Sequence, residues 1–503
     1  MTIRTTTGPA IRAITIIALA AIAAGLTACG SDGSNPVHPT PAPVLTIALG
    51  VNTLPVSRGA SASTFIKAIR SAGVEGAVSY AAVGAPQGLA VAVQNTPVAD
   101  SVMLTLTGSL ALAPGHYPVV ITATAAGTSS PPLTLDVSVT GGGADQMAFK
   151  DVVVGEASTC ALTLTGVAWC WGANTKGQLG NGGAAAVNPV PIPVTGGLTF
   201  ESLSLPDIGQ FACGIRSGGA AYCWGDNSIG QLGNGTNTPS PVPTPVAGGL
   251  RFLTISTGER HVCGVTYEFT VYCWGANTYG AFGDGTVGAS TTPVPAASGM
   301  TFKRVSAGGE YTCGLTQAGA AYCWGLGAFG ALGNGSDSSR VKPVAVAGGY
   351  TFNALAVGGL NACALTTAGV AYCWGNNVYG QVGDGTNTYR STPTAVAGGL
   401  VFNGLSAGFE HPCGVVVGGA AYCWGYNESG VVGDGSFMHR STPTQVVGGF
   451  NFYSVKVASA HACGVTQIEG STNEIYCWGA NGSGQLGDGT TASTAGPYRV
   501  FFP

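Results

Sequence analysis

The chain has 503 residues, with 18 Lys or Arg, 22 Asp or Glu and a formal net charge of −4. Only 8% of it is charged, against about a quarter in ordinary soluble proteins, so it lacks the basic footprint that nucleic-acid binding needs. Its 45% hydrophobic content excludes charge-driven disorder, and its 82 Gly follow no every-third-residue period, which excludes a collagen-like rod.

Residues 1–29 read as an export signal. Arg4 and Arg12 make a charged region ahead of an apolar stretch, 14–26, that is too short to span a bilayer ahead of a folded domain. The segment ends Leu26-Thr27-Ala28-Cys29-Gly30. This resembles the lipobox of bacterial lipoproteins, in which the Cys is lipidated and becomes the new N-terminus. The resemblance implies lipidation at Cys29, export, and anchoring to the bacterial cell envelope, at the outer membrane or cell surface because no Asp follows Cys29. That anchor is the one membrane link expected. Residues 30–43 are a Pro/Ser-rich tether.

Across 44–141, seven short apolar-rich runs (44–49, 64–69, 78–83, 89–93, 102–106, 119–124 and 133–139) are separated by Gly, Pro and Ser turns. That spacing predicts a β-sandwich. The run 114–125, PGHYPVVITATA, resembles the late strands of bacterial immunoglobulin-like domains. His116 lies beside a turn and reads as solvated. The domain reads as a spacer, and Gly141-Gly142-Gly143 marks the hinge after it.

The region 147–503 is repetitive. Cys-Trp-Gly recurs with Trp at 171, 224, 274, 324, 374, 424 and 478. Each unit holds four short extended runs between Gly-rich turns. One such four-stranded antiparallel sheet cannot bury both faces alone, but seven arranged radially can. The predicted fold is all-β: a seven-bladed β-propeller with four-stranded antiparallel blades, preceded by a small immunoglobulin-like β-sandwich. The pattern Trp-Gly-x-Asn-x-x-Gly-Gln-Leu-Gly-x-Gly, complete at 171–182, 224–235 and 478–489, resembles the repeat of the regulator-of-chromosome-condensation propeller family. That family includes a nuclear exchange factor for a small GTPase and a secreted bacterial propeller that inhibits β-lactamases. Only the second kind of role fits an exported, non-basic chain. The repeat departs from its own pattern at Gly327, which replaces the Asn of the motif. It departs again at Phe282, and at Glu268-Phe269, which replace a Gly-bearing turn.

Fourteen of the 15 Cys fall into one pair per repeat. Cys160 goes with Cys170, Cys213 with Cys223, Cys263 with Cys273, and Cys313 with Cys323. Cys363 goes with Cys373, Cys413 with Cys423, and Cys463 with Cys477. With Cys213 opposite Cys223, the hairpin turn centres on Gly218 and Ile215 faces Ala221. Residues so paired come within reach of a disulfide. The spacing lacks the convergent close pairs of a zinc site, so disulfides are expected, and export favours them. Tyr222 and Trp224 then point to the opposite side of the sheet and read as packing between blades.

Two residues before the first Cys, the units carry Ser158, Phe211, His261, Tyr311, Asn361, His411 and His461. The three His read as structural rather than as metal ligands or acid–base groups. Asp284, Asp384, Asp434 and Asp488 alternate with Asn181, Asn234 and Asn334 in Gly-rich turns. This suggests side-chain-to-backbone turns rather than calcium binding. No nucleophile-elbow sequence, no close His/Asp/Ser set and no phosphate-binding loop appears in the sequence. Candidate partner-binding residues are those that vary at matched loop positions: Tyr279, Phe329 and Tyr379 at one, and Arg340, Arg390 and Arg440 at another. Tyr389, Phe437, Met438 and His439 lie close by in sequence. Aromatics with Arg are hot-spot material. The expected function is non-enzymatic: an envelope-anchored binding or scaffold protein whose propeller loops engage a protein partner. A cell-surface glycan-binding module is the alternative, and a propeller lyase or hydrolase with an axial site comes third. No catalytic residue, cofactor, metal or nucleic acid is expected, and the protein reads as a monomer.

Overall fold

The computed structural model describes residues 43–57, 61–95, 100–109, 115–140, 148–466 and 473–502. The expected export signal with Cys29, most of the expected tether and the expected hinge at Gly141–Gly143 lie outside the described residues.

The N-terminal part consists of two sheets. Leu45–Leu49, Ser61–Arg70, Ser101–Gly108 and Leu89–Asn95 form one, in that spatial order. Thr53–Ser57, Leu133–Thr140, Gly115–Ala125 and Ser79–Val83 form the other, with Thr128–Ser129 added to its third strand. Leu54, Ile66, Leu104, Ile121 and Val137 come from both sheets and share one core, so the sheets pack face to face. Alternation along Ser61–Arg70 sets this up: Thr64, Ile66 and Ala68 point inward, and Phe65, Lys67 and Ile69 outward. The seven expected strands are present, but two more join them. Thr53–Ser57 pairs in parallel with Leu133–Thr140, a long-range pairing with no local hairpin signal. His116 is not solvated as expected. Its Nδ1 lies 2.8 Å from Asp136 Oδ2, and its ring packs edge-on against Tyr498 at 4.9 Å and tilted against Phe501 at 5.6 Å.

From residue 149 onward, seven four-stranded antiparallel sheets follow one another, each built from contiguous chain: 149–193, 202–245, 252–295, 304–345, 352–395, 402–445 and 452–499. In the fifth, Phe352–Val357, Asn361–Thr366, Ala371–Gly375 and Arg390–Ala395 run from the axis outward.

The cysteine register is as expected. Cys213 pairs opposite Cys223 and Ile215 opposite Ala221. Disulfides join Cys160 to Cys170, Cys213 to Cys223, Cys263 to Cys273, and Cys313 to Cys323. They also join Cys363 to Cys373, Cys413 to Cys423, and Cys463 to Cys477. Cα separations across these bonds are 4.0–4.1 Å, as directly opposed strand residues allow. The hairpin glycine takes the left-handed conformation, as at Gly219 with φ 90°. In the third sheet Phe269 must hold φ 61° instead.

One interface is repeated around the ring. The disulfide of each sheet faces the Trp of the next. Cys313 and Cys323, for example, share a core with Phe352, Leu355 and Trp374. Every repeat Trp is buried and donates its indole N–H to a loop carbonyl of the preceding sheet, as Trp224 does to Gln178 at 2.9 Å. The same bond closes the ring, from Trp171 to Gln485 at 2.8 Å. Phe502 seals that seam against Phe149, with ring centroids 4.3 Å apart. Because each sheet is contiguous, no strand is exchanged between the ends. The innermost strands of all seven enclose an axial channel of about 250 Å³.

Candidate interaction surface

Each sheet meanders outward, so the turns after its first and third strands share one end of the ring. Backbone bonds tie these turns together: Tyr426 N–H donates to Glu410 O and Leu326 N–H to Glu310 O, both at 3.0 Å. The hairpins between second and third strands occupy the other end. All six candidate partner-binding residues sit in, or just after, the turn that follows the third strand.

Two side-chain devices fix that turn. In six sheets a buried Asn three residues after the Trp holds the loop from within. Asn227 Oδ1 accepts from Leu232 N–H at 2.9 Å, and Asn174, Asn277, Asn377, Asn427 and Asn481 do the same in their sheets. The Asp or Asn of the following Gly-rich turn accepts from the backbone two residues on, as Asp384 does from Thr386 N–H at 2.9 Å. That is the local turn expected from the Asp/Asn exchange.

Sheet four breaks the first rule. Gly327 stands where the pinning Asn would be, and the loop tightens into a 3₁₀ turn at Ala328–Gly330. Phe329 is held there at φ 56°, and 45% of it is exposed. A bulky residue in the left-handed region is strained and marks a candidate site.

The structure gathers the aromatics across neighbouring sheets. Phe329 meets Tyr389 edge-on at 6.3 Å. Tyr379 meets His439 at 4.9 Å and Tyr426 at 5.2 Å, and Tyr426 stacks on His439. Phe437 and Met438 are exposed beside them. Tyr279 is exposed one sheet earlier, and its ring makes no aromatic contact among the described residues. Tyr426 was not singled out from sequence. Its signal is that it alone is aromatic two residues after the Trp, where Ala173, Asp226, Ala276, Leu326, Asn376 and Ala480 stand elsewhere.

The three Arg divide. Arg390 and Arg440 are engaged inside their own sheets, with Nη2 at 2.6 Å from Asp384 and Asp434. Burial works to raise these two carboxyls, but bonds from the neighbouring hydroxyl and the Arg hold both below the usual range. In sheet four the acid is replaced by Asn334, and Arg340 makes no ion pair among the described residues. Sequence position alone does not show this division.

Nearer the axis the same end is acidic. Burial pushes Glu259, Glu310 and Glu410 up, and Asp207 well up. Glu310 and Glu156 add to the effect on Glu259, while Arg260 opposes it.

The three His lie buried between sheets. Burial lowers His261 to about 4, and His411 and His461 to about 3. His261 Nε2 meets Thr312 Oγ1 of the next sheet at 2.9 Å, and that hydroxyl donates to Ala281 O. His461 repeats this with Thr159 and Gln485 O across the seam. Since the hydroxyl proton goes to the carbonyl, the imidazole N–H donates to the hydroxyl oxygen.

Residues 165–216, 218–265, 270–315, 318–365, 368–411 and 472–503 match the regulator of chromosome condensation (RCC1) repeat. A second form of that repeat matches 149–178, 252–281, 302–331 and 352–381. Among curated proteins, the human E3 ubiquitin-protein ligase HERC2 is 38% identical over 79 residues, which is 16% of this chain and 2% of the ligase. Human protein RCC2 is 34% identical over 97 residues, 18% of this chain and 17% of that protein. The chain thus spans only a small part of these relatives. Among solved structures, human WBSCR16 superposes with a TM-score of 0.60 at 22% identity, covering 67% of this chain and 94% of that one. Prp20p of Saccharomyces cerevisiae, described with its binding to Gsp1p and histones, gives 0.57 at 22% identity, covering 64% and 83%. At such identity the likeness shows the fold alone.

Proposed function

Because the chain belongs to the regulator of chromosome condensation (RCC1) repeat family, we propose that it is a non-enzymatic binding protein that holds a protein partner on the aromatic loop end of its propeller. One observation carries this reading. Where sheet four abandons the Asn pin, the chain accepts a strained backbone and in return projects Phe329 outward beside Tyr389. Solvated loop residues have no use for such strain. A solved relative, Prp20p, is described as binding other proteins, which supports a binding role. The Cys29 lipobox and the tether after it support display of the propeller from a bacterial cell envelope. The buried disulfides suit an oxidising compartment.

The partner's contact is read as apolar and anionic in part. Rings of Phe329, Tyr379, Tyr389 and Tyr426 supply area at low entropic cost, and Arg340 supplies an uncommitted cation. The test is quantitative capture from the native envelope by the mature protein, a Tyr279/Phe329/Tyr379 triple-Ala variant and a Val417→Ser variant at the hairpin end. Capture of a stoichiometric protein that is lost only in the triple variant supports the reading. Equal capture by all three proteins overturns it.

A further inference from the structure

The third sheet breaks the hairpin rule. Where other hairpins place Gly166, Gly219, Gly319, Gly369 and Gly419, it places Phe269. The ring is held at φ 61°, a conformation that glycine adopts freely and a bulky residue does not. The strain does not serve burial. Phe269, Tyr267 of the same hairpin and Leu253 of the first strand of that sheet are each 38–44% exposed.

Cations adjoin these apolar groups. The Arg251 guanidinium lies 5.3 Å over the Tyr267 ring, and its Nε donates to Gly218 O at 2.7 Å. Phe269 O accepts the Phe302 N–H of the next sheet at 3.1 Å, which sets the hairpin against the strand entry that carries Lys303 and Arg304. Among the described residues none of these three cations forms an ion pair. Glu268 is the acid on the same hairpin, and Asp151 and Glu201 lie on the first two sheets with Lys150 and Arg216.

The same end of the ring offers more apolar points. Leu164 on the hairpin of sheet one, Val417 on that of sheet six and Tyr453 at the inner strand of sheet seven are 65–67% exposed. They are spread around the ring rather than joined in one patch, so a surface that meets them together is broad and flat. Charge is also polarised along the axis. Glu156, Glu259, Glu310 and Glu410 stand at the opposite rim, with Arg260 against them. A negative plane attracts the hairpin end and repels the loop end.

We propose that the hairpin end docks on the surface of an anionic lipid bilayer, with Leu253, Tyr267 and Phe269 at the headgroup level and Arg251, Lys303 and Arg304 on lipid phosphates. Aromatic rings beside Lys and Arg are the composition that settles at a membrane interface. Anionic headgroups attract each such cation over about a Debye length. An acidic protein would match the charge, but it would cover only neighbouring tips of the ring. Docked this way, the ring turns its aromatic loops away from the lipid. This surface and the protein-binding surface lie at opposite ends, so either stands without the other.

The experiment is vesicle flotation of the chain from Gly30 onward, which contains every described residue and no lipidation site. Vesicles of phosphatidylcholine alone are compared with vesicles carrying about one-third phosphatidylglycerol. The protein is expected to float with the anionic vesicles about tenfold more strongly than with the neutral ones, and to lose that preference between about 50 and 500 mM salt. Arg251→Gln/Lys303→Gln/Arg304→Gln together erase the preference. Phe269→Gly restores the glycine hairpin, so its thermal midpoint holds or rises while flotation falls severalfold. A merely structural role for Phe269 predicts no fall. The Tyr279/Phe329/Tyr379 triple-Ala variant floats as the parent does. Equal flotation with both vesicles, or anionic flotation indifferent to Phe269→Gly and to the triple Gln variant, overturns the proposal. So does capture of an acidic protein through these residues without vesicle binding.

Discussion

His411 is a buried imidazole with no partner on either nitrogen among the described residues, and its neighbours show what is missing. His261 and His461 each donate to a Thr hydroxyl of the next sheet, and that Thr stands immediately before the first Cys. Opposite His411 that position is Ala462. The carbonyl that such a hydroxyl would reach, Val431 O, accepts among the described residues the Trp478 indole N–H at 2.8 Å and no other donor. Ala462→Thr therefore restores two hydrogen bonds of about 1 kcal/mol each and relieves one unsatisfied buried nitrogen, for a gain of about 2 kcal/mol after the cost of ordering the side chain. In a ring of this size that raises the melting midpoint by about 2–4 °C. The assay is thermal and guanidinium unfolding followed by Trp fluorescence, with Ala462→Val as the control that matches volume but lacks the hydroxyl. If Thr proves no more stable than Val at this site, the account of the His–Thr–carbonyl bridge is wrong. The reciprocal change, Thr312→Val, orphans His261 and costs about 1–3 kcal/mol.

The three buried His also set a pH dependence. Each is neutral when folded, with its pKa lowered from 6.5 to about 3 or about 4. Their contribution is therefore intact above pH 6.5 and is lost as the pH falls toward those values. At pH 5 the loss is about 2 kcal/mol per His. The raised carboxyls at the inner rim work in the opposite sense, since acid relieves their burial penalty, so the net fall is smaller. Melting midpoints from pH 7.5 to 4.5 are expected to decline, and less steeply in a His411→Asn variant. Intact mass with and without reductant after unfolding should differ by two hydrogens for each of the seven disulfides, and the folded protein should resist thiol alkylation. Replacing one Cys pair with Ala should cost about 2–3 kcal/mol. Asn334→Asp gives Arg340 the partner that Arg390 and Arg440 have. It should add at most about 1 kcal/mol of stability while weakening partner capture. Phe329→Asn should ease the left-handed strain by about 1 kcal/mol and also weaken capture, a gain and a loss read on the same variant.

Features that recur at a fixed spacing were legible in the chain. Cys213 opposite Cys223, the Trp on the sheet face opposite the disulfide and the glycine at φ > 0 each follow from one repeat considered alone. So do the Asp and Asn turns. Relations between different positions of neighbouring repeats were not legible. That Thr312 answers His261, or that Tyr379 meets Tyr426 and His439, requires knowing which loop of one sheet lies on which strand of the next. Arg390 and Arg440 share a matched position with Arg340, yet they are engaged by acids six residues earlier, whereas Arg340 faces an Asn. One of the two strands that the reading missed in the sandwich has a related cause. Thr53–Ser57 finds its partner about eighty residues away, in parallel, and no turn residue announces such a pairing.

The seam between the seventh sheet and the first uses the same indole-to-carbonyl bond and the same disulfide-against-Trp layer as the other six interfaces. Chain connectivity therefore has no energetic role there that any other junction could not assume. Phe149 and Phe502 touch, so a short peptide could join the two ends of the ring. New termini could then be opened at the connection between any two sheets, for instance between the third and fourth. A rearranged chain of this kind would close through Trp324 and the Ala281 carbonyl in place of Trp171 and Gln485. By the same reasoning the loop end could be presented in any rotational setting relative to its tether without altering a single contact within it.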